Sequence, residues 1–183
     1  YRIDPAGTLT LADRIDAAGG VGFSKPTEVS HLSVGGQDFA IVAANESSSL
    51  SVFRIQPDGI LQEADHVVDG LTTRFQGATA LATLQSSAGR AYVAVGGSDG
   101  GVDIMTLLPD GRLVSLATIA DDSATSLDHV SALALAEVGG TTTLFAASAT
   151  EPGLTQIRLN LGPPGIIEWG SGGTITGTAG GDM

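Results

Sequence analysis

The chain contains 183 residues, carries a formal net charge of −12 and has no cysteine. The charge argues against nucleic acid and anionic membranes as partners, because both bind through basic surfaces, and the lack of cysteine excludes disulfides and thiolate zinc sites. No apolar run reaches the roughly 18 residues that a membrane-spanning helix needs.

Composition favours an all-β protein. Hydrophobic residues make up 42% of the chain but aromatic residues only 4%, and there are 26 glycines. Small and β-branched residues with abundant glycine suit short strands joined by tight turns. The acidic balance is explained by solubility alone, or by a calcium-rich environment in which carboxylates bind divalent ions. Because the chain begins at Tyr1, we expect either a removed signal peptide or a piece of a longer protein.

A Pro-x-Gly turn recurs at a fixed interval and defines the repeating unit. It starts at Pro5, Pro57 and Pro109, so successive copies lie 52 residues apart. Proline presets the first corner of such a turn and glycine accepts the positive φ that closes it. A period of this length indicates copies of one supersecondary unit.

Four strands are predicted in each unit. The first is placed at Val29–Val34, Ala78–Leu84 and Val130–Leu135. The second is a continuous apolar run, which suits a strand buried on both faces, at Phe39–Ala44, Ala91–Gly96 and Thr143–Ser148. The third alternates and is expected to be half-exposed, at Leu50–Ile55, Val102–Leu107 and Leu154–Leu159. The fourth follows the Pro-x-Gly turn, at Leu9–Ile15, Ile60–Val67, Leu113–Ile119 and Ile166–Trp169.

Four-stranded antiparallel meanders repeated every 40 to 50 residues are typical of β-propeller blades. We therefore predict an all-β fold, an incomplete β-propeller ring of about three and a half blades; a β-sandwich is the alternative, but it does not require the long repeat. The predicted propeller covers residues 1–169, with blade repeats 1–28, 29–77, 78–129 and 130–169. Residues 170–183 form a Gly/Thr-rich linker.

The repeat resembles the propeller segments of large exported bacterial proteins of the RTX (haemolysin-type calcium-binding) class and, more loosely, lactonase-like seven-bladed propellers. The residues that carry this resemblance are Leu50–Leu61 and Val130–Ala134. The tail Gly173–Met183 looks like the beginning of the calcium-binding Gly-Gly-x-Gly-x-Asp repeats of that class. The resemblance implies a secreted or cell-surface protein, with calcium bound mainly by further repeats and Asp182 as a candidate ligand. The alternative is a simple Gly/Ser/Thr linker.

Three acids occupy matching positions in the loops between the second and third strands: Glu46, Asp99 and Glu151. In a propeller these loops gather on one face with the blade-to-blade connections. The acids are candidate ligands for a cation, or contacts for a basic partner. The alternative is a polar turn that happens to be acidic.

Histidines and a glutamate near the inner strands are the candidates for catalysis. His129 follows Asp128 and precedes a first strand, and we align Glu28 and Gly77 with it; His31 is aligned with Ala80 and Ala132. A histidine and a carboxylate near a central channel suit acid–base or metal chemistry, but such a histidine is more often structural. His66 is expected to be solvated.

Arg2, Arg54 and Arg158 align on the third strand, with Thr106 in the same place in the second full blade. They predict a repeated structural contact with an Asp or Glu of the next blade. No G-x-S-x-G, phosphate-loop or H-E-x-x-H motif occurs. We therefore expect no enzymatic activity and a scaffold, binding or adhesion module that recognises a protein or glycan surface. A lactonase-like hydrolase and a structural protein that self-associates through open blade edges are the alternatives.

Overall fold

The computed structural model describes residues 2–16 and 21–161, and all regular secondary structure in these ranges is β. Within these ranges no helix is long and apolar enough to cross a membrane. The strands are β1 Arg2–Ile3, β2 Leu9–Thr10, β3 Pro26–Val34, β4 Gln37–Ala44, β5 Ser49–Ile55, β6 Leu61–Val68, β7 Ala80–Gln85, β8 Ala91–Gly96, β9 Gly101–Leu107, β10 Leu113–Ala120, β11 Val130–Val138, β12 Thr141–Ser148 and β13 Leu154–Arg158.

The strands form consecutive antiparallel meanders, which confirms the incomplete β-propeller. Strands β3–β6 and β7–β10 are four-stranded sheets, here named blade 1 and blade 2. Strands β11–β13 form blade 3, and β1–β2 form the half-blade. The fourth strand predicted at Ile166–Trp169, the linker 170–183 and Asp182 lie outside the described residues.

Neighbouring blades pack face to face through two apolar cores. The core between blades 1 and 2 contains large side chains, among them Phe39, Ile41, Phe75, Leu81 and Val93. The core between blades 2 and 3 contains the small residues Ala80, Ala82 and Ala94 of blade 2 together with larger side chains such as Ile104, Leu127 and Leu144. Burying one large apolar side chain contributes about 1.5–3 kcal/mol, so these cores are the main attraction between blades.

The Pro-x-Gly turn has the predicted conformation and also contacts the preceding blade. Gly7, Gly59 and Gly111 have φ values of 85°, 85° and 96°. The space above Gly111 is already filled, because a Cβ placed there would lie 2.5 Å from the Cβ of Ala64 on β6. At Gly59 the corresponding distance is 3.1 Å to Ala12. The glycine therefore serves both the turn and the close approach of two blades.

The prediction that third strands are half-exposed is wrong for the two whole blades. In β5 and β9 five consecutive residues are buried, whereas β13 alternates between exposed and half-buried positions. The third strand of a whole blade has both of its faces covered by neighbours. Its polar residues Ser51 and Asp103 give the sequence the alternating pattern of a half-exposed strand, although both are buried.

Two of the proposed alignments within the blades are also wrong. The first inner strand begins at Pro26 rather than Val29. The register pairs His31 with Ala40 and Leu135 with Leu144, positions 104 residues apart on both strands. His31 is therefore equivalent to Leu135, and not to Ala132. In blade 2 its equivalent is Thr83, and not Ala80.

The residue equivalent to His129 is Lys25 rather than Glu28. Lys25, Gly77 and His129 stand 52 residues apart and have φ values of 55°, 55° and 46°. Each of them turns the chain into an inner strand, a position that Glu28 does not occupy because it lies within β3.

Candidate functional site

The linkers that enter blades 2 and 3 share a hydrogen-bonded Asp–Thr motif on one face of the propeller. Asp69 accepts hydrogen bonds from the Thr73 hydroxyl at 2.8 Å and the Phe75 N–H at 3.1 Å. Asp121 does the same with Thr125 and Leu127, both at 2.8 Å. Phe75 and Leu127 are fully buried in the two inter-blade cores. The Asp-x-x-x-Thr-x-apolar spacing recurs at 52 residues and could have been found in the sequence.

The three aligned acids lie on this linker face and are used in the same way. Glu46 accepts a hydrogen bond from the Ser24 hydroxyl at 2.8 Å. Asp99 accepts one from the Gln76 N–H at 3.2 Å, and Glu151 accepts one from the Asp128 N–H at 3.0 Å. Each carboxylate therefore ties the loop between the second and third strands to the linker that enters its own blade.

The cation site predicted on these acids is not supported by a cluster of metal ligands in the described part of the chain. Across residues 2–16 and 21–161, no group of three or more His, Asp or Glu side chains is arranged to hold a metal ion. Burial, reinforced by the charge of nearby Asp69, raises the pKa of Asp99. The ligand role of Glu46, Asp99 and Glu151 stays a prediction.

Glu28 and His31 lie on β3 but have separate surroundings. Glu28 accepts a hydrogen bond from the Leu81 N–H at 2.7 Å, which joins β3 to β7 of the next blade. The exposed His31 Nε2 lies 3.1 Å from Asp38 Oδ1. A hydrogen bond from the Ser33 hydroxyl, together with His31, lowers the pKa of Asp38. These partners give Glu28 a structural contact and His31 a surface contact.

His129 is the catalytic candidate that lines a pocket. This shallow pocket of about 190 Å³ lies between the starts of β7 and β11 and is lined by Thr79, Gly97, Ser98, His129, Val130, Ser131 and Ala149. His129 Nδ1 lies 2.8 Å from Asp128 Oδ1. The Thr150 hydroxyl donates to the same carboxylate at 2.8 Å, and this bond and His129 lower the pKa of Asp128.

The hydroxyl groups of this pocket are engaged with the main chain. Thr79 donates to the Val130 carbonyl at 2.5 Å, Ser98 to the Gln76 carbonyl at 3.1 Å, and Ser131 to the Ala147 carbonyl at 3.2 Å. Glu28 and His31 are not among the lining residues. The pocket can thus offer an imidazole for proton transfer, next to hydroxyls that the fold uses to join strands.

The sequence pattern did not indicate a buried acid in blade 2. Asp103 is fully buried and accepts hydrogen bonds from the Arg74 N–H and the Thr118 hydroxyl, both at 2.5 Å. Burial raises its pKa. Ser51 occupies the same place in blade 1, with its hydroxyl 2.9 Å from Nδ1 of the half-buried His66, which corrects the expectation of a solvated His66.

The recurring arginines make the predicted contact with the next blade. Arg2 donates to the Asp58 carbonyl and Arg54 to the Asp110 carbonyl, the latter at 3.1 Å. The acceptor is thus the main chain of the next Pro-x-Gly turn, and not an Asp or Glu side chain. Arg158, the third member of this series, is an exposed residue of β13.

The two ends of the arc expose apolar residues at positions that are buried elsewhere. Leu154 on blade 3 is 69% exposed, whereas its equivalents Leu50 and Val102 are 0% exposed. Val138, Ala132 and Ala134 are also exposed on blade 3. We name the surface of Ala132, Ala134, Val138, Leu154 and Arg158 the leading open face.

The half-blade shows the reverse side of the same interface. Ile3 is 67% exposed, whereas its equivalents Leu107 and Leu159 are 2% and 8% exposed and Ile55 is half-buried. Leu9 and Leu11 are exposed beside it. We name the surface of Ile3, Leu9 and Leu11 the trailing open face.

Comparisons with known proteins support the fold alone. No protein-family model matches the chain, and no curated protein matches it. Among solved structures, the chain is similar to a crystal structure of a protein from Lactobacillus plantarum, with a TM-score of 0.53 and 18% sequence identity. The match covers 86% of this chain and 49% of that one, so the chain spans about half the length of this structural neighbour.

Proposed function

We propose that the chain is a non-catalytic propeller module that acts through binding, as a scaffold or adhesion unit. The observation that carries this proposal is the exposure of apolar residues at both ends of the arc, with Ile3 67% and Leu154 69% exposed. Contiguous exposed apolar surface on a protein marks a site of protein interaction. The partner class is a protein or glycan surface, or another copy of the chain.

The use of polar groups on the linker face supports a binding role over catalysis. Asp99 and Glu151 on this face, and Glu28 on β3, each accept a main-chain hydrogen bond that joins two segments of the propeller. A carboxylate engaged in this way contributes mainly to the stability of the fold, because removing it leaves a main-chain N–H without a hydrogen-bond partner.

An array experiment tests the binding role. The chain is applied to immobilised extracellular proteins and glycans, next to a variant that carries Ile3→Asp and Leu154→Asp. We expect retention of the unmodified chain and loss of retention in the double variant. The matched control is Leu71→Asp, which changes a fully exposed leucine outside both open faces. Equal retention of the double variant and the unmodified chain contradicts the proposal.

The proposal extends to an exported protein of the RTX class that binds calcium. Its support is the resemblance of Gly173–Met183 and the acidic composition, with the cysteine-free sequence in agreement. We expect the parent gene to encode Gly-Gly-x-Gly-x-Asp repeats after Met183, which would hold calcium between successive turns. A parent sequence without these repeats removes the calcium role and the RTX assignment, and leaves the binding role intact.

The pocket around His129 favours one alternative, a lactonase-like hydrolase. An imidazole held by Asp128 at 2.8 Å has the arrangement of a general base. A lactone and ester hydrolysis screen should compare the unmodified chain with His129→Asn, because asparagine tolerates the positive φ of this position. Our proposal expects no turnover in either protein. Turnover that disappears in His129→Asn would establish the hydrolase instead.

A further inference from the structure

The pocket between blades 2 and 3 exists because the residues at two equivalent positions differ between successive interfaces. Between blades 1 and 2, the Asn45 side chain occupies this place, and its Nδ2 donates to the Gly77 carbonyl at 2.7 Å. The equivalents of Asn45 and Gly77, 52 residues later, are Gly97 and His129. The space that an amide fills in the first interface is therefore open in the second, where Gly97 and His129 both line it.

The main chain keeps this space open. The Ser98 N–H donates to the Gln76 carbonyl at 2.7 Å, and a Cβ added at Gly97 would lie 2.1 Å from the oxygen of that carbonyl. A side chain at position 97 is therefore excluded, and about 190 Å³ remains open. Because pockets for drug-sized molecules measure about 300–1,000 Å³, this one suits a single ring or the end of a longer ligand.

The imidazole of His129 is held in one orientation. Its Nδ1 lies 2.8 Å from Asp128, and because a carboxylate can only accept, this nitrogen carries the proton. The Thr150 hydroxyl donates to the same carboxylate at 2.8 Å, and the His129 carbonyl accepts from the Ala149 N–H at 2.9 Å. Within residues 2–16 and 21–161 no group hydrogen-bonds Nε2, so the neutral ring offers this nitrogen as an acceptor.

The groups around the pocket select a neutral ligand with a hydroxyl beside a C–H face. Gly97, Val130 and Ala149 supply carbon walls. The Asp128 carboxylate and the net charge of −12 oppose an anion, and a cation would compete with His129 for that carboxylate. A sugar ring combines a hydroxyl edge with an aliphatic C–H face, whereas a stable protein partner needs a contact of about 1,000 Å² or more.

We propose that this pocket binds one neutral sugar residue at the end of a glycan. A ring hydroxyl donates to His129 Nε2, and the C–H face packs against Val130 and Ala149. The inference rests on the proposed binding role and adds a site to it, because the pocket lies between blades 2 and 3 and away from both open faces. Binding occurs without turnover, because the three hydroxyls of the pocket donate to main-chain carbonyls.

A nuclear magnetic resonance titration of the nitrogen-15-labelled full chain tests this site, with millimolar methyl glycosides of neutral hexoses and deoxyhexoses as probes. We expect at least one glycoside to shift the amide signals around the pocket. His129→Asn should weaken binding about threefold to tenfold, as is usual for the loss of one hydrogen bond, and Ala149→Leu should abolish it by filling the pocket. His31→Asn is the matched control and should bind like the unmodified chain, because His31 is also exposed and close to an aspartate but lies outside the pocket.

The shift map of the unmodified chain locates the site without any variant, and melting temperatures show that each variant is folded. No glycoside binding, signals that shift elsewhere, or equal binding by His129→Asn and the unmodified chain each overturn the inference. Shifts caused only by the methylamides of N-acetyl-threonine or N-acetyl-leucine overturn it too, since the occupant would then be a protein side chain. The double variant with Ile3→Asp and Leu154→Asp should bind the glycoside normally, so failure at the pocket is distinguished from failure at the open faces.

Discussion

The covered interface between blades 1 and 2 and the open face of blade 3 are built on the same pattern but have different surroundings. Leu50 is fully buried among Phe39, Ile41 and Val93. Leu154 stands 104 residues later at the same place in its blade and is 69% exposed. The difference shows that burial in this molecule is set by the neighbouring blade and not by the residue or its strand.

This dependence makes the arc a nearly one-dimensional system, in which each unit gains stability from the units beside it. Among the described residues, blades 1 and 2 are covered on both sides, whereas the half-blade and blade 3 are covered on one. Mutations at equivalent positions should therefore have unequal effects, and the size of the inequality measures what a neighbour contributes.

The largest expected effect comes from truncating the equivalent leucines. Leu50→Ala should lower the free energy of unfolding by about 2–5 kcal/mol, because it leaves a cavity in a packed core. Leu154→Ala should change it by about 0.5 kcal/mol or less, as is usual for surface positions. Urea unfolding of both variants, at a concentration where the chain is monomeric, checks this. Equal losses would mean that Leu154 is covered within the monomer.

A smaller effect is expected from the turn glycines. Alanine at Gly7 and at Gly111 meets the same strain from a positive φ. At Gly111 the added Cβ also lies 2.5 Å from Ala64, whereas at Gly7 no atom lies within 4 Å. Gly111→Ala should therefore be about 1–3 kcal/mol more destabilising than Gly7→Ala, the usual cost of overpacking. Thermal or urea unfolding measures the difference, and equal effects would contradict close packing at the blade 1–blade 2 interface.

The smallest expected effect is a change in pH dependence at Asp103. Burial raises its pKa above the ordinary 3.8, so the native state holds this proton to a higher pH than the unfolded state does. Stability contributed by this group is therefore lost as pH rises from about 3.8 through the raised value. Asp103→Asn should remove this slope, and its amide can still accept from the Arg74 N–H and donate to Thr118.

The opposite sign is expected at Asp110, whose pKa is lowered by the Arg112 N–H and, next, by the Arg112 side chain. Asp110→Asn should remove stability that is present above 3.8 and lost as pH falls. Urea unfolding across the acidic range measures both variants. Parallel pH profiles for Asp103→Asn and the unmodified chain would contradict a raised pKa of Asp103.

Much of the fold could be read from the sequence because turn chemistry is local. Proline and glycine at fixed positions specify a turn wherever they occur, and their spacing gave the period and the four-stranded unit. The contact of Arg54 with the next blade was also predicted, because an arginine at the same position in successive blades faces the same part of each following blade. Its acceptor, the Asp110 carbonyl, was not foreseen, since a main-chain group leaves no trace in side-chain patterns.

The candidate site was less predictable. The sequence placed Glu46, Asp99 and Glu151 in equivalent loops, which the structure confirms, but their hydrogen-bond donors come from linkers about 23 residues away. The equivalence proposed for Glu28 and His129 failed because it was counted from an inner strand that begins earlier than predicted. A count of residues cannot detect where a strand begins when Pro26 and Thr27 resemble a loop.

By itself the sequence determined the repeat, the turns and the all-β class, because these depend on residues close together in the chain. Only the tertiary structure decided which face of each strand is buried. In blade 2 the loop 86–90 is longer than the two-residue loops at Gly35 and Gly139, so Val95 is equivalent to Val42 and Ala146 rather than to Ala43 and Ala147. A shift of one residue exchanges the two faces of a strand, and only the pairing with β9 reveals it.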